Sequence, residues 1–265
     1  MKKVYFFIFL TLFFHHLTKG QSNTQVMYSG ELKNPGYTWE LLSKGIHHFD
    51  LQVMPIYGEL FITSSMPDSA NHNKPTLSDA CLLPLYNQYK RVGEHETAAS
   101  QMTSCLLIRA AFEPEKVEQL VRKALRNMQE MVSYKSNDEW HQGQVLLLSA
   151  DDNLKKRIDQ ERTIVSLPIG TLQDSTSNLA PELMPVIEVP FSQLTNWKGT
   201  GNISFEEYLA VKSLVNRIHT QGRKICVTGC PNQTDAWDVL IKAEIDLIST
   251  PDAFVLKDYL DNQQF

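Results

Sequence analysis

The sequence predicts an α/β protein folded as a single (β/α)8 TIM-type barrel, and three observations carry that expectation. Eight apolar, β-branched runs recur along the chain, most of them separated by helical patterns. No linker, internal repeat or low-complexity tract divides the sequence. About 245 residues follow a candidate leader, a length that suits a barrel built as one unit. Alternating strands and helices favour a parallel sheet with right-handed crossovers. An open doubly wound sheet is the alternative, but no Gly-rich phosphate loop follows the first strand.

The eight runs are residues 25–29, 47–54, 105–111, 145–150, 163–168, 185–190, 224–228 and 246–249. A further short run, 60–63, follows the second across the corner Tyr57-Gly58-Glu59, so residues 45–65 read as strand, turn, strand. Side chains of a strand alternate faces, which puts Asp50 and Gln52 on one side and Phe49 and Leu51 on the other. A carboxylate and an amide thus project together from an otherwise apolar strand.

Helical signals fill most of the gaps. Thr76-Leu77-Ser78-Asp79 opens a helix over 76–91 with an N-cap and an early acid. Pro114 between Glu113 and Glu115 opens the next, and Val117, Leu120, Val121, Ala124, Leu125 and Met128 keep amphipathic spacing. Ser204-Phe205-Glu206-Glu207 starts a third, which Gln221-Gly222 stops. Residues 234–243 and 251–260 supply two more, and 170–183, rich in Ser, Thr, Asn and Pro, reads as a loop.

The chain opens on Met1-Lys2-Lys3, an apolar run over 4–14, and small residues before a cut after Gly20. This predicts a signal peptide over 1–20 and a barrel domain over 21–265, with an uncleaved N-terminal anchor as the alternative. The apolar run falls short of the about 20 residues that a bilayer requires, and no later segment could cross a membrane. Export to the periplasm or the extracellular space is the expectation. Without Lys2, Lys3 and Lys19, 22 basic residues face 30 acidic ones, a formal charge of −8. That argues against nucleic acid and anionic membrane surfaces as partners. Cys81, Cys105, Cys226 and Cys230 allow three disulfide connectivities in an exported chain; Cys81 with Cys105 is the first to test, and the other two read as buried thiols.

The run Pro35-Gly36-Tyr37-Thr38-Trp39-Glu40, then His47-His48-Phe49-Asp50 and Gly58-Glu59-Leu60, resembles the start of the phospholipase C-like and glycerophosphodiester phosphodiesterase barrels. Later stretches resemble a secreted bacterial branch of that superfamily: Leu183-Met184-Pro185, Trp197-Lys198-Gly199-Thr200-Gly201, His219-Thr220-Gln221-Gly222-Arg223-Lys224 and Asp246-Leu247-Ile248-Ser249-Thr250. The resemblance covers nearly all of residues 21–265 and implies the phosphodiesterase type of barrel. Such enzymes use one His at the end of the first strand and another after the Gly-Glu-Leu strand as general base and acid. Here those places fall on Ser29 and Ser64. The family also holds Ca²⁺ or Mg²⁺ through a Glu-x-Asp pair and an acid on the third strand. In this chain the pair becomes Asp50-Leu51-Gln52, leaving Asp50 as the retained metal candidate, and the third acid becomes Arg109.

Asp50 and Arg109 are expected to form a neutral internal ion pair, the guanidinium standing where a metal charge would be. No cofactor is then expected, and Ca²⁺ or Mg²⁺ only if the chain is active. Asp50, Gln52 and Arg109, together with Glu31, Glu188 and Lys198 near other strand ends, are the candidate binding residues for a small anionic or phosphodiester ligand. His72 is the one histidine expected near the upper rim, and Asn232 and Asp252 read as caps or turn residues. The functional expectation is an exported, catalytically degenerate barrel that binds a ligand or partner. The alternative is an active phosphoric diester hydrolase with a rebuilt site.

Overall fold

The structure is a computed structural model that describes residues 24–66, 74–93, 104–137 and 139–263. The eight predicted runs form the parallel strands β1 (Gln25–Ser29), β2 (His48–Ile56), β4 (Ser104–Ala110), β7 (Val145–Ser149), β9 (Leu167–Pro168), β10 (Val186–Pro190), β11 (Lys224–Thr228) and β12 (Leu247–Thr250). Their order is β10-β11-β12-β1-β2-β4-β7-β9, a curled sheet of the TIM type. Beyond β9, Gly170 pairs with Ile187 of β10: its N–H reaches Val186 O at 2.9 Å, and its carbonyl accepts Glu188 N–H at 2.8 Å. The two ends of the strand order are thereby joined by hydrogen bonds.

Alternation along each strand sorts the core into two layers. Phe49, Leu51, Leu106, Ile108, Val189 and Val227 face outward into the cluster shared with the helices. Met27, Cys105, Leu107, Leu148, Val186, Cys226 and Leu247 pack together on the concave side. Cys81 belongs to the outer layer and Cys105 to the inner one, on opposite faces of the wall, so the disulfide between them is not made. All four cysteines are free thiols, and burial pushes Cys105 up to about 11 and Cys230 up to about 12.

Helices α1 (Pro35–Ser43), α2 (Leu83–Gly93), α3 (Pro114–Ala124), α6 (Phe205–Thr220), α7 (Thr234–Lys242) and α8 (Ala253–Asn262) cross between strands, with short α4 (Asp152–Arg157) and α5 (Phe191–Leu194) completing the set. The sequence reading lacked α1, although Asn34 caps it by accepting Tyr37 N–H at 3.0 Å and Pro35 fills its first turn. A π-helical turn, Ser78–Leu82, leads into α2. The corner after β2 is a two-residue hairpin turn, with Tyr57 at φ 49° and Gly58 at φ 81°, joining β2 to antiparallel β3 (Glu59–Ile62).

The run 163–168 is not one strand. Thr163–Ile164 (β8) joins β5 (Tyr134–Ser136) and β6 (Glu139–His141) in a separate three-stranded antiparallel sheet, while Leu167–Pro168 continues into the main one. These strands sit in the connections that enter β7 and β9, at the N-terminal end of the parallel sheet. Loop 170–183 carries one 3-10 turn, Leu172–Thr176. Buried Arg223 ties it down by donating to the carbonyls of Asp174 at 3.3 Å, Ser177 at 3.1 Å and Leu179.

Candidate functional site

Position 50 lies on the concave face of β2, where register sets Asp50 beside Ser29 of β1 and Gln52 beside Arg109 of β4. Asp50 is 8% exposed. Arg109 Nε donates to Asp50 Oδ1 at 2.6 Å, and Nη2 donates to Oδ2 at 3.0 Å, a bidentate fork. The same Nη2 donates to Glu188 Oε2 at 2.9 Å, and the Ser249 hydroxyl approaches Asp50 Oδ2 at 3.3 Å. β4 and β10 stand five steps apart along the strand order through β1. A flat sheet with strands about 4.8 Å apart would keep them some 24 Å from each other. The direct bond therefore crosses the concavity, and curling of the sheet assembles the cluster.

The ion pair between Asp50 and Arg109 is present, but it is not the isolated neutral pair expected. Glu188 adds a second carboxylate to the one guanidinium, so the three groups carry −1 together. Burial works against the Arg109 charge, yet the bonds and charges of Asp50 and Glu188 outweigh it and raise the pKa above its ordinary value. Arg109 is thus a permanent cation.

A cavity of about 320 Å³ opens over this cluster at the C-terminal ends of the strands. Ser29, Gly30 and Glu31 line it from the end of β1, Asp50 and Gln52 from β2, Ser64 from beyond β3, and Arg109 from β4. Glu31 is ion-paired to Lys74 at the rim. Lys198 is not part of this group. It lies in a second groove of about 240 Å³ with Trp197, Phe191 and Pro231, above β10 and β11. Asn232 donates to Asp252 at 3.0 Å, so those two satisfy one another. His72 lies outside the described residues.

Donor chemistry decides whether a dication fits. Both oxygens of Asp50 and one of Glu188 already accept from the guanidinium, whose charge occupies the space between them. Among the described residues, no group of three or more His, Cys, Asp or Glu is placed to hold a metal ion. The residues present do not fit Ca²⁺ or Mg²⁺ at this position.

No histidine stands among the described residues that line the cavity. Ser29 and Ser64 reach the cavity without an imidazole beside them. His48, on the same face of β2, lies two residues and about 7 Å toward the opposite end. Its Nδ1 accepts the Cys105 N–H at 3.0 Å, so Nε2 carries the proton and donates to Gln25 Oε1 at 2.5 Å. Burial, with smaller contributions from Lys224 and His47, pushes its pKa down to about 3, and it stays neutral. His219 is held by Asp246 at 2.7 Å, and His141 stacks on Tyr134.

Fold and site together describe a TIM-type α/β protein with an ionic cluster at the C-terminal mouth of a curled parallel sheet. No family model matches the sequence, and no curated protein matches it. Solved structures of similar fold include a glycerophosphodiester phosphodiesterase from Agrobacterium tumefaciens, with TM-score 0.45 and 13% identity over 89% of this chain and 99% of that one. Another belongs to the tryptophan synthase α2β2 complex of the hyperthermophile Pyrococcus furiosus, with TM-score 0.46 and 11% identity over 92% and 97%. A third is phosphoribosylanthranilate isomerase from Thermotoga maritima, with TM-score 0.42 and 11% identity over 90% and 97%. At these scores none of them assigns a reaction.

Proposed function

We propose that residues 21–265 are an exported (β/α)8 barrel of the phospholipase C-like phosphodiesterase type that binds a small polar ligand without hydrolysing phosphodiesters. The observation that carries this reading is the Arg109 guanidinium bonded to both Asp50 and Glu188. It stands where the motif resemblance puts a divalent ion. Ser29 and Ser64, at the resembling histidine positions, support it further, because a hydroxyl with a pKa far above neutral needs a neighbouring base to move a proton. The bridge from Gly170 to Ile187 supports full closure of the barrel. Export rests on the N-terminal sequence, and among the described residues no helix is long and apolar enough to cross a membrane.

The test is hydrolysis of a generic aryl phosphodiester and of several glycerophosphodiesters by the purified protein, with Ca²⁺ or Mg²⁺ added and then with chelator. No turnover under any condition is the expected result. Chelator-sensitive turnover that survives Asp50→Ala and Ser64→Ala would instead mean an active hydrolase with a site elsewhere on the rim.

A further inference from the structure

The cavity over Arg109 has an unusual balance of free groups. Arg109 Nη1, with two N–H donors, has no partner among the described residues. Neither does the exposed side-chain amide of Gln52, which offers two donors and one acceptor. The hydroxyls of Ser29 and Ser64 are also without side-chain partners there, and each can donate or accept. Among the described residues, no apolar side chain lines the cavity. Donors and acceptors are thus both available in the lining, which matches groups that are themselves both donor and acceptor.

Charge makes the choice sharper. Asp50, Glu188 and Glu31 supply three negative charges, against two positive charges from Arg109 and Lys74. The one cation in the wall is already bonded to two carboxylates, so an incoming phosphate would meet a site that is negative overall. A quaternary ammonium would find no aromatic face among the described lining residues. We infer that the cavity bounded by Ser29, Gln52, Ser64 and Arg109 selects an uncharged polyol, such as a sugar or cyclitol, over its phosphorylated counterpart. This rests on the non-hydrolytic reading above and names the ligand class of that same site. Hydroxyls would accept from Arg109 Nη1 and donate to the remaining carboxylate lone pairs.

Matched pairs test it: glycerol against glycerol 3-phosphate, myo-inositol against its 1-phosphate, and glucose against glucose 1-phosphate. Each is titrated into the full protein while the Arg109 Nε–H resonance and heat are followed. In at least one pair the neutral member saturates, moves that resonance and binds at least about tenfold tighter than the phosphate. Glu188→Gln removes one negative charge and leaves the Asp50 fork in place, so the preference within that pair narrows or inverts, while Gln52→Ala weakens the neutral member. The backbone amide spectrum establishes that each variant is folded. Tighter binding of the phosphorylated member in wild type, or saturation by no neutral member up to about 50 mM, well above a ~1 mM dissociation constant, overturns the inference. Phosphodiester turnover in the same sample would refute the non-hydrolytic reading instead, whichever member of a pair binds.

Discussion

His48 and Asp50 lie two residues apart on the same face of β2, yet they end in opposite environments. At the lower end, His48 is neutral and 3% exposed, with one ring nitrogen accepting a backbone N–H and the other donating to Gln25. Every polar atom of the ring has one partner, and nothing remains to offer a ligand. At the upper end, Asp50 and Glu188 share the Arg109 guanidinium, 30% of the Arg109 side chain is exposed, and Nη1 has no partner among the described residues. The lower polar layer serves folding; the upper one keeps bonding capacity for something else. Along the length of one strand, the number of bonds left unmade tells the two ends apart.

Breaking the upper end should cost most. Arg109→Ala leaves two carboxylates without their cation at the inner wall, and we expect a loss of about 3 kcal/mol in urea unfolding at pH 7. That is the low end for a buried pair, because Arg109 is partly exposed. Removing the lower partner is gentler and is read by pH. The folded pKa of His48, about 3, lies below its ordinary 6.5, so the unfolded chain takes up the proton first. The stability is whole above pH 6.5 and falls by about 1.4 kcal/mol per pH unit as pH drops from there toward 3. His48→Gln, which can still accept the Cys105 N–H, should cost about 1 kcal/mol at pH 7. It should then become the more stable form below about pH 6, because it lacks that slope. Urea melts at pH 7, 6 and 4.5 check both halves of the expectation.

Two smaller changes sharpen the contrast within the upper end. Ser249→Ala removes a 3.3 Å bond to an Asp50 oxygen that Arg109 already holds, and about 0.5 kcal/mol is expected. Lys74→Ala breaks a rim pair with Glu31, which is 47% exposed, and should move the melting midpoint least of all, by under about 0.5 kcal/mol. A Lys74→Ala loss as large as that of Arg109→Ala would mean that the rim, rather than the guanidinium cluster, organises the mouth.

Legibility in the sequence followed the range of the interactions. Strand positions were readable because each strand is a local apolar run, and the hairpin because Tyr57-Gly58 supplies the positive φ angles that its turn requires. Pairing of Asp50 with Arg109 could be anticipated from motif positions on neighbouring strands. Glu188 is a candidate as a strand-end acid, but its bond to Arg109 depends on the curl that carries β10 across to β4, and no spacing in the chain encodes that distance. Helix α1 was legible after the fact in Asn34-Pro35, an N-cap followed by a first-turn proline. The small sheet was not, since strands of two or three residues are too short to show a period. Lys198 looked like part of the same mouth because it follows β10, but the loop delivers it to a separate groove.

Calorimetric titration of Ca²⁺ and Mg²⁺ into the purified protein at pH 7 addresses most directly the proposal that Arg109 stands in place of a metal ion. No saturable heat and no change in melting temperature up to millimolar ion is the expected result. Stoichiometric binding that disappears in Asp50→Asn would contradict it, because the carboxylates would then be free to hold a dication that the guanidinium fork should exclude.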